Sequence, residues 1–171
     1  MHETMSPDDR DRLPALVADA IKRGADAADA VLVQSTSLSH TQRLGEIEKL
    51  ERQESFDLGL RVFRGKKQAI VSSTDFSDTA LDELVGRALD MAATVPDDPW
   101  AGLAVPDQLA TKIPDLDMVD SDEPASNVLI DMARRCEDAA RAVTGITNSD
   151  GAEASWSHSH ITLAASNGFT G

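Results

Sequence analysis

Residues 59–77, GLRVFRGKKQAIVSSTDFS, specify a strand, a tight turn, a second strand and the start of a helix. Apolar and polar residues alternate over residues 56–62 and again over residues 69–71, which is the period-2 pattern of half-buried strands. Gly65 suits the turn between them, because glycine adopts positive φ without steric cost. Ser77 is a favourable N-cap for the periodic segment that follows. The sequence therefore predicts a β-hairpin that leads into a helix.

Two helices are predicted before and after this hairpin. The first covers roughly Asp9–Arg23; it begins nearer Arg12, so that Pro14 lies in its first turn, and Gly24 ends it. The second covers about Asp78–Thr94 and has one continuous apolar stripe. This stripe consists of Leu81, Leu84, Val85, Ala88, Leu89 and Ala92.

A third helix is predicted from near Pro124 to Val143. Its apolar residues recur at helical spacing, so we expect them to face the core. They are Val128, Leu129, Met132, Cys136, Ala139 and Val143. The segment before this helix, residues 95–122, contains four prolines and shows little periodicity. A long loop is expected there, and loops of this length are usually functional or mobile.

Two further strands are predicted between the first helix and the hairpin. Residues 30–40 form one strand, with Val31 and Val33 facing inward. Residues 46–53 form a charged strand at a sheet edge or on an exposed face, where charges discourage pairing with another chain.

The last predicted strand is long, polar and rich in serine, and it covers residues 152–166. Its inward positions change from Ala154 and Trp156 to Ile161 and Leu163. Because side chains alternate strictly along a strand, this change of parity predicts a β-bulge between His158 and His160.

Turn signals flank this last strand. Asp150-Gly151 before it is typical of a hairpin turn. After it, residues 166–169 read as a turn followed by the first residue of another strand, yet the sequence stops at Gly171. We therefore expect residues 1–171 to be a single domain that is a fragment, or a truncated product, of a longer protein. Its fold class should be α+β, an antiparallel sheet with about three helices packed mainly on one face.

Composition narrows the class of function. Asp and Glu number 30 against 16 Lys and Arg, which gives a formal charge of −14. A surface with this much negative charge repels phosphate backbones. Direct nucleic-acid binding is therefore disfavoured. No apolar run reaches the roughly 18 residues of a membrane span. The single cysteine excludes an internal disulfide, and the polar, acidic N-terminus lacks the pattern of a secretory signal, so a cytoplasmic location is expected.

The residues that could carry chemistry have structural alternatives. His158 and His160 lie on one face of a predicted strand and could share a metal ion, although two further ligands would be needed. The alternative is a pair of solvated imidazoles. Cys136 lies on the face assigned to the core, where a structural thiol is expected. No H-E-x-x-H, H-E-x-x-x-H, C-x-x-C, G-x-S-x-G or phosphate-loop motif occurs.

Two surface features remain open. The basic cluster Arg61, Arg64, Lys66 and Lys67 is either a solvated hairpin tip or a docking point for a carboxylate-rich surface. Trp100, in the proline-rich loop, either pins that loop to the core or marks an interface hot spot.

Four blocks of the sequence resemble the N-terminal domain of the TldD/PmbA family, once called modulators of DNA gyrase. They are GADAADA (24–30), GLRVFRGKKQAIVSSTDFS (59–77), PDDPWAGLA (96–104) and NSDGAEASWSHSHITLAASNGF (148–169). The third block resembles the PmbA (TldE) branch more than the TldD branch. The resemblance implies an N-terminal domain that precedes a C-terminal β-rich domain absent from this sequence.

The resemblance also implies a function. Proteins of the TldD branch carry a zinc protease motif and pair with a PmbA-like subunit that lacks it. The heterodimer encloses a chamber in which unfolded peptides are matured or degraded. No position here matches the zinc motif, so no catalytic, cofactor-binding or metal residue is assigned. Zinc is expected only in a TldD-like partner. The alternatives are a stand-alone metal-binding or hydrolytic domain that uses His158 and His160, or a homodimeric interaction module that pairs near Phe169.

Overall fold

The computed structural model describes residues 7–120 and 122–171. In this part of the chain the helices are α1 (Pro7–Lys22), α2 (Asp78–Thr94) and α3 (Ser126–Arg141), and the strands are β1 (Ala27–Arg43), β2 (Glu46–Arg64), β3 (Lys67–Ser73) and β4 (Ala152–Ala165). The strands form one antiparallel sheet in the order β3-β2-β1-β4, so the predicted α+β class is confirmed. Residues 1–6 and 121, which belong to the polar N-terminal segment and the predicted loop, lie outside the described residues.

The chain divides into two compact units. Among the described residues, unit 1 comprises residues 7–34, 56–114 and 160–171, and unit 2 comprises residues 35–55, 115–120 and 122–159. The strands β1, β2 and β4 contribute residues to both units.

The hairpin predicted from residues 59–77 is present in unit 1. β2 pairs with β3 from Leu58 opposite Ser73 to Arg64 opposite Lys67. Gly65 in the turn has a φ of +59°, as expected for a glycine between the two strands. The next element, α2, has the predicted bounds because its cap is local: the side chain of Ser77 accepts a hydrogen bond from the backbone N–H of residue 80.

The core of unit 1 is built from α1, α2 and the strands that they cover. Its buried apolar residues are Leu13, Leu16, Val17, Ala20, Ala25, Ala28, Ala30, Leu32, Leu58, Leu60, Val62, Ala69, Val71, Leu84, Val85, Ala88, Leu89, Ala92 and Ala164. Arg23, just after α1, donates to the Asp82 carboxylate of α2 at 2.8 Å. The buried core cluster of unit 1 is therefore built from alanine, valine and leucine.

The predicted start of α1 was wrong. The helix begins at Pro7, so Pro14 lies inside it rather than in its first turn. Pro14 and Ala15 are exposed, while Leu13 and Leu16 on the opposite side are buried. Burial of this apolar face offsets the lost hydrogen bond of an interior proline. The predicted helix end is confirmed, because Gly24 follows Lys22 closely and has a φ of +108°.

The predicted inward face of β1 was also wrong by one residue. Ala28, Ala30 and Leu32 are buried, whereas Val31 and Val33 are only partly buried on the opposite face. Apolar side chains occur at both the odd and the even positions of this strand. Alternation therefore did not determine which set is buried, and Val31 and Val33 were assigned to the core. A shift of one residue exchanges the two faces completely.

The charged strand predicted at residues 46–53 is the first part of β2, which continues without a break to Arg64. Its residues 46–54 are exposed, as expected. The predicted loop before α3 is present over the described residues 95–120 and 122–125, with only a short 3₁₀ turn at Pro106–Gln108.

β4 keeps one parity along its length. Its less exposed positions are Ala154, Trp156, Thr162 and Ala164, and the predicted inward residues Ile161 and Leu163 are exposed. The parity change that predicted a bulge near His158 is therefore absent. Ile161 and Leu163 are apolar although they lie on the exposed side of β4, so the apolar pattern did not identify the buried side.

The two turn predictions around β4 had different outcomes. Asp150-Gly151 is not a hairpin turn, because it ends the connection between α3 and β4. The turn at residues 166–169 is confirmed: Gly168 has a φ of +90°, and the backbone N–H of Ala165 donates to Phe169 O at 2.9 Å. The residues after this turn pair with β4 of the same chain, through a bridge between Ala164 and Thr170.

Candidate functional site

The two histidines that could share a metal ion are both exposed side chains of β4. The His158 ring lies edge-on to Trp156, with a centroid distance of 6.2 Å. Among the side chains that the structure describes, those of residues 12–120 and 122–171, no group of three or more His, Cys, Asp or Glu could hold a metal ion. The residues present therefore do not fit a zinc site, which needs at least three protein ligands.

The predicted inner face of α3 is confirmed at Leu129 and wrong at its other positions. Leu129, Ala133 and Glu137 are the buried residues of this helix. Cys136 is exposed, as is most of the apolar stripe that was expected to face the core. The exposed members are Val128, Met132, Cys136, Ala139 and Val143. Met132, Cys136 and Ala139 line an open depression of about 590 Å³ together with Arg135 and Asp138.

The last position of the buried face of α3 is occupied by a carboxylate and not by an apolar side chain. Glu137 is 1% exposed. Its Oε2 accepts hydrogen bonds from Gln42 Nε2 at 2.9 Å and from the backbone N–H of Gly45 at 3.0 Å. Its Oε1 accepts from the backbone N–H of Leu44 at 2.6 Å. The side chain of Ser149 is a further hydrogen-bonding partner.

This carboxylate fixes the tight turn between β1 and β2. Leu44 has a φ of +53° and Gly45 has a φ of +83°. Positive φ at both central residues is typical of two-residue hairpin turns, whose twist matches the right-handed twist of the flanking strands. Positive φ is unusual for leucine and costs free energy. Two consecutive N–H groups from such residues point to the same side and bind an anion well. Glu137 supplies that anion from α3.

The environment of Glu137 also sets its protonation. The hydrogen bond from Gln42 is the largest cause that lowers the pKa of Glu137, from an ordinary value of 4.5 to about 2. Burial acts in the opposite direction, and the bonds from Ser149, Leu44 and Gly45 add to the lowering. The carboxylate is therefore ionised at neutral pH, and among the described residues its charge is met by hydrogen-bond donors from Gln42, Leu44, Gly45 and Ser149.

A second polar side chain of unit 2 is buried without such partners. His40 of β1 is fully buried, and neither of its ring nitrogens has a hydrogen-bond partner among the described residues. It lies on the strand between buried Leu38 and buried Gln42. An imidazole in this state destabilises the fold relative to an apolar side chain of similar size.

The clearest surface feature of unit 1 is the loop at residues 96–102, which we call the Trp100 loop. Trp100 is 91% exposed, so it does not pin the loop to the core. Asp98 holds the loop instead. Its backbone N–H donates to Lys66 O at 2.7 Å, and its Oδ2 accepts from Gln68 Nε2 at 3.1 Å. Its Oδ1 accepts from the backbone N–H of Trp100 at 2.9 Å.

The Trp100 loop is also fixed after the tryptophan. The backbone N–H of Ala101 donates to Asp98 O at 3.0 Å, and Ala101 is buried. Further along, Ala104 O accepts from Asn167 Nδ2 at 2.9 Å. An ordered backbone therefore presents an indole ring almost entirely to solvent.

The basic cluster of the hairpin separates into two pairs. Arg61 is bound to the Asp29 carboxylate through two nitrogens, and Lys67 Nζ donates to Ala93 O at 3.2 Å. The Asp29 hydrogen bond raises the pKa of Arg61, so its charge is fixed. Arg64 and Lys66 are exposed in the turn. Lys66 Nζ lies 3.5 Å from Ala101 O, which places this cation beside the Trp100 loop.

Sequence reasoning found the Trp100 loop and the basic turn, but it missed Glu137 and His40. A glutamate at the spacing of Leu129 and Ala133 is a weak signal of burial, since most glutamates are solvated. Its partners Leu44 and Gly45 lie more than ninety residues earlier in the chain. No local pattern could have connected the two.

Comparisons with known proteins agree with the fold. A family model described as PmbA/TldA metallopeptidase domain 1 matches residues 28–92. Metalloprotease PmbA of Escherichia coli O157:H7 is 36% identical over 128 residues, which are 74% of this chain and 28% of that protein. A metalloprotease PmbA homolog of Haemophilus influenzae is 34% identical over 134 residues, 78% of this chain and 30% of that protein. The chain thus spans less than a third of the length of these curated relatives.

Solved structures are similar at lower identity. A protein described as a modulator of DNA gyrase from Bacteroides thetaiotaomicron superimposes with a TM-score of 0.81 and 19% identity over 98% of this chain and 39% of that one. TldE from Thermococcus kodakarensis superimposes with a TM-score of 0.69 and 16% identity over 91% of this chain and 35% of that one. At these identities the similarity shows the fold. No helix within the described residues has the length and apolar character to span a membrane.

Proposed function

Because the chain belongs to the PmbA/TldD metallopeptidase family, we propose that it is the architectural N-terminal domain of a PmbA/TldE-like subunit that is not itself catalytic. In this proposal it pairs with a TldD-like subunit to form a two-subunit zinc metalloprotease. The observation that carries the proposal is the 36% identity to a PmbA protein over a stretch that makes up only 28% of that relative. The chain also matches the model of the first domain of the family, over residues 28–92.

The chemistry of the chain supports a scaffold role. The name metalloprotease belongs to relatives that are more than three times longer than the matched stretch. The sequence contains no H-E-x-x-x-H motif and only one cysteine. The described side chains, those of residues 12–120 and 122–171, offer no set of three metal ligands. We therefore assign zinc and bond cleavage to the TldD-like partner.

The substrates in this proposal are unfolded peptides, which the complex matures or degrades inside an enclosed chamber. This domain would form part of the wall of that chamber and of the contact with the partner subunit. A cytoplasmic location fits a protein whose single cysteine, Cys136, is exposed and free, because exposed thiols persist in reducing compartments. The acidic charge of −14 disfavours direct DNA binding.

Reconstitution of peptidase activity tests the role directly. We would mix the 171-residue chain with the TldD-type subunit encoded by the same genome and measure cleavage of dye-labelled, unfolded casein. Cleavage should depend on the TldD-type subunit, and chelation of zinc should abolish it. Cleavage of casein by this chain alone would contradict the proposal.

A zinc titration tests the non-catalytic assignment separately. Isothermal titration of the chain with zinc chloride should show no binding in the micromolar range. A double variant, His158→Ala with His160→Ala, is the control for weak surface binding. Micromolar binding that this double variant loses would favour the alternative of a stand-alone metal-binding domain.

A further inference from the structure

The strand β2 has a free edge over residues 46–55. β3 pairs with β2 only from Leu58 to Arg64, and β1 lies on the other side of β2 in the sheet. No other strand of the described residues lies beside residues 46–55. The side chains of residues 46–54 are all exposed, which leaves room for another strand to approach. The outward N–H and C=O groups of this edge are therefore open to pairing.

The sequence of this edge restricts which strand can pair with it. Residues 48–52 read EKLER, so two acidic and two basic residues flank Leu50. Their formal charges cancel, in a chain whose total charge is −14. Charges on an edge strand usually prevent pairing, because like charges that lie directly opposite each other are destabilising. A strand whose charges are opposite at each of these positions does not meet this barrier.

The same segment of a second copy has this complementary pattern when it runs antiparallel. With Leu50 opposite Leu50 of the second copy, Glu48 lies opposite Arg52 and Lys49 lies opposite Glu51. The two-fold symmetry repeats both pairs, so four opposite-charge pairs surround a pair of leucines. A register shifted by one residue instead places Glu48 opposite Glu51, or Lys49 opposite Arg52. The register centred on Leu50 is therefore favoured over its neighbours.

Ion pairs within the chain already hold these charges along the edge. Lys49 Nζ lies 2.6 Å from Glu51 Oε2, so the two side chains share one face of β2. Arg52 has two acidic neighbours, Glu54 at 3.2 Å and Glu123 at 3.4 Å. A guanidinium presents five N–H groups, which suffice for a further carboxylate from the second copy. Each ion pair within the chain would thus extend across the contact into a network.

We propose that two copies of this chain pair antiparallel through residues 46–54 of β2, centred on Leu50, and so join two four-stranded sheets edge to edge. This contact goes beyond the proposed function and needs no second type of subunit. Glu46 opposite Glu54, repeated at both ends, is its one like-charged pair, and the total charge of each copy also opposes association. One strand pair buries less than the roughly 1,200 Å² of a stable interface. We therefore expect a weak dimer with a dissociation constant of about 100 µM.

Sedimentation equilibrium of the 171-residue chain at concentrations up to about 1 mM tests for this dimer. Lys49→Glu and Glu51→Lys should each weaken association by about tenfold, because each places like charges opposite each other at two positions. The double variant that carries both substitutions exchanges the charges and should associate as the wild type does. A monomeric wild type, single variants that associate as the wild type does, or a double variant as weak as the single ones would each overturn the proposal.

Disulfide cross-linking tests the register, in a Cys136→Ser background that removes the exposed native thiol. Leu50→Cys should form a linked dimer on mild oxidation, since opposite Cα atoms of an antiparallel pair lie about 5 Å apart. Ile47→Cys is the matched control, because Ile47 is also exposed on β2. Its two copies would lie six residues apart along the strands, or roughly 20 Å, and should not link. Equal cross-linking of the two variants would refute the register.

The pairing and the proposed function can fail separately. The sedimentation and cross-linking experiments use this chain alone, so their outcome leaves the casein assay unaffected. Hydrogen exchange adds a further outcome. A monomeric chain whose amides at residues 46–54 gain protection only when unfolded casein is added would assign the edge to a peptide and overturn the pairing of two copies.

Discussion

Unit 1 and unit 2 contain similar kinds of secondary structure but are stabilised differently. Among the residues that the structure describes, the core cluster of unit 1 contains nineteen buried apolar residues, and that of unit 2 contains four. The four are Leu38, Leu129, Ala133 and Ala154. Unit 2 adds three buried polar side chains, His40, Gln42 and Glu137.

Apolar residues thus dominate the described core of unit 1, whereas unit 2 combines a few apolar residues with buried polar ones. In unit 2 a single carboxylate links α3 to the β1–β2 turn and to Gln42. Hydrogen bonds to an ionised group are stronger than neutral ones, and their loss leaves buried donors without a partner. Unit 2 should therefore depend on a few polar atoms, whereas unit 1 should depend on many small apolar contacts.

The largest effect is expected from Glu137→Ala. Four donors, from Gln42, Leu44, Gly45 and Ser149, lose their acceptor in a unit with few apolar contacts. Amide hydrogen exchange should show lost protection across unit 2 and retained protection in unit 1. Asp138→Ala, which removes an exposed carboxylate of the same helix, is the control. Unchanged protection at Leu44 and Gly45 in Glu137→Ala would show that the tether is dispensable.

Leu60→Ala tests the opposite unit. Leu60 is fully buried in the core cluster of unit 1, so its truncation should lower the free energy of unfolding by about 2–5 kcal/mol. Urea denaturation measures this value. Ile70→Ala, at an exposed position of β3, should change it by less than about 0.5 kcal/mol. Equal effects of the two variants would refute the assigned core.

Gly151→Ala should destabilise unit 2 by at least about 1–3 kcal/mol, the cost of a strained backbone conformation. Gly151 has a φ of +106°, and an added Cβ would lie 2.5 Å from Gln42 O. Gly145→Ala separates the two causes, because Gly145 has a φ of +97° with open space around it. The Gly151 variant should unfold at lower urea concentration than the Gly145 variant. The reverse order would mean that the contact with Gln42 is absent.

Acid should reveal the charge of Glu137. Its pKa is lowered to about 2 in the folded chain from an ordinary 4.5. The stabilisation is therefore complete above pH about 4.5 and is lost as the pH falls towards 2. Hydrogen exchange of unit 2 against pH should show this loss in the wild type. Glu137→Gln should lack this pH-dependent step. A step of the same size in both proteins would assign the acid sensitivity to other carboxylates.

The smallest effect is expected on the outer face of α3. Met132 is 53% exposed, so Met132→Ala should change the free energy of unfolding by less than about 0.5 kcal/mol. Ala133 lies next to it and is fully buried, and Ala133→Leu is the contrasting variant that should overpack unit 2. A large loss of stability in Met132→Ala would restore the core face that the sequence predicted.

The sequence predicted the parts of the fold that local signals determine. The hairpin and α2 follow from alternation, a glycine turn and a serine cap, and all of these lie within a few residues of each other. The faces of β1 and α3 were missed because each element carries apolar residues on two sides. Which side is buried depends on distant partners: the buried face of α3 is the one that brings Glu137 to Leu44. The polar core of unit 2 therefore could not be predicted from the sequence.

The positions of the two tryptophans have an optical consequence. The chain contains no tyrosine, and its two indoles lie in different units, Trp100 in unit 1 and Trp156 in unit 2. Trp100 is already solvated, so its emission should be red-shifted in the native state, whereas Trp156 packs against the small core of unit 2. Intrinsic fluorescence should then report the melting of unit 2 through Trp156, without any added dye.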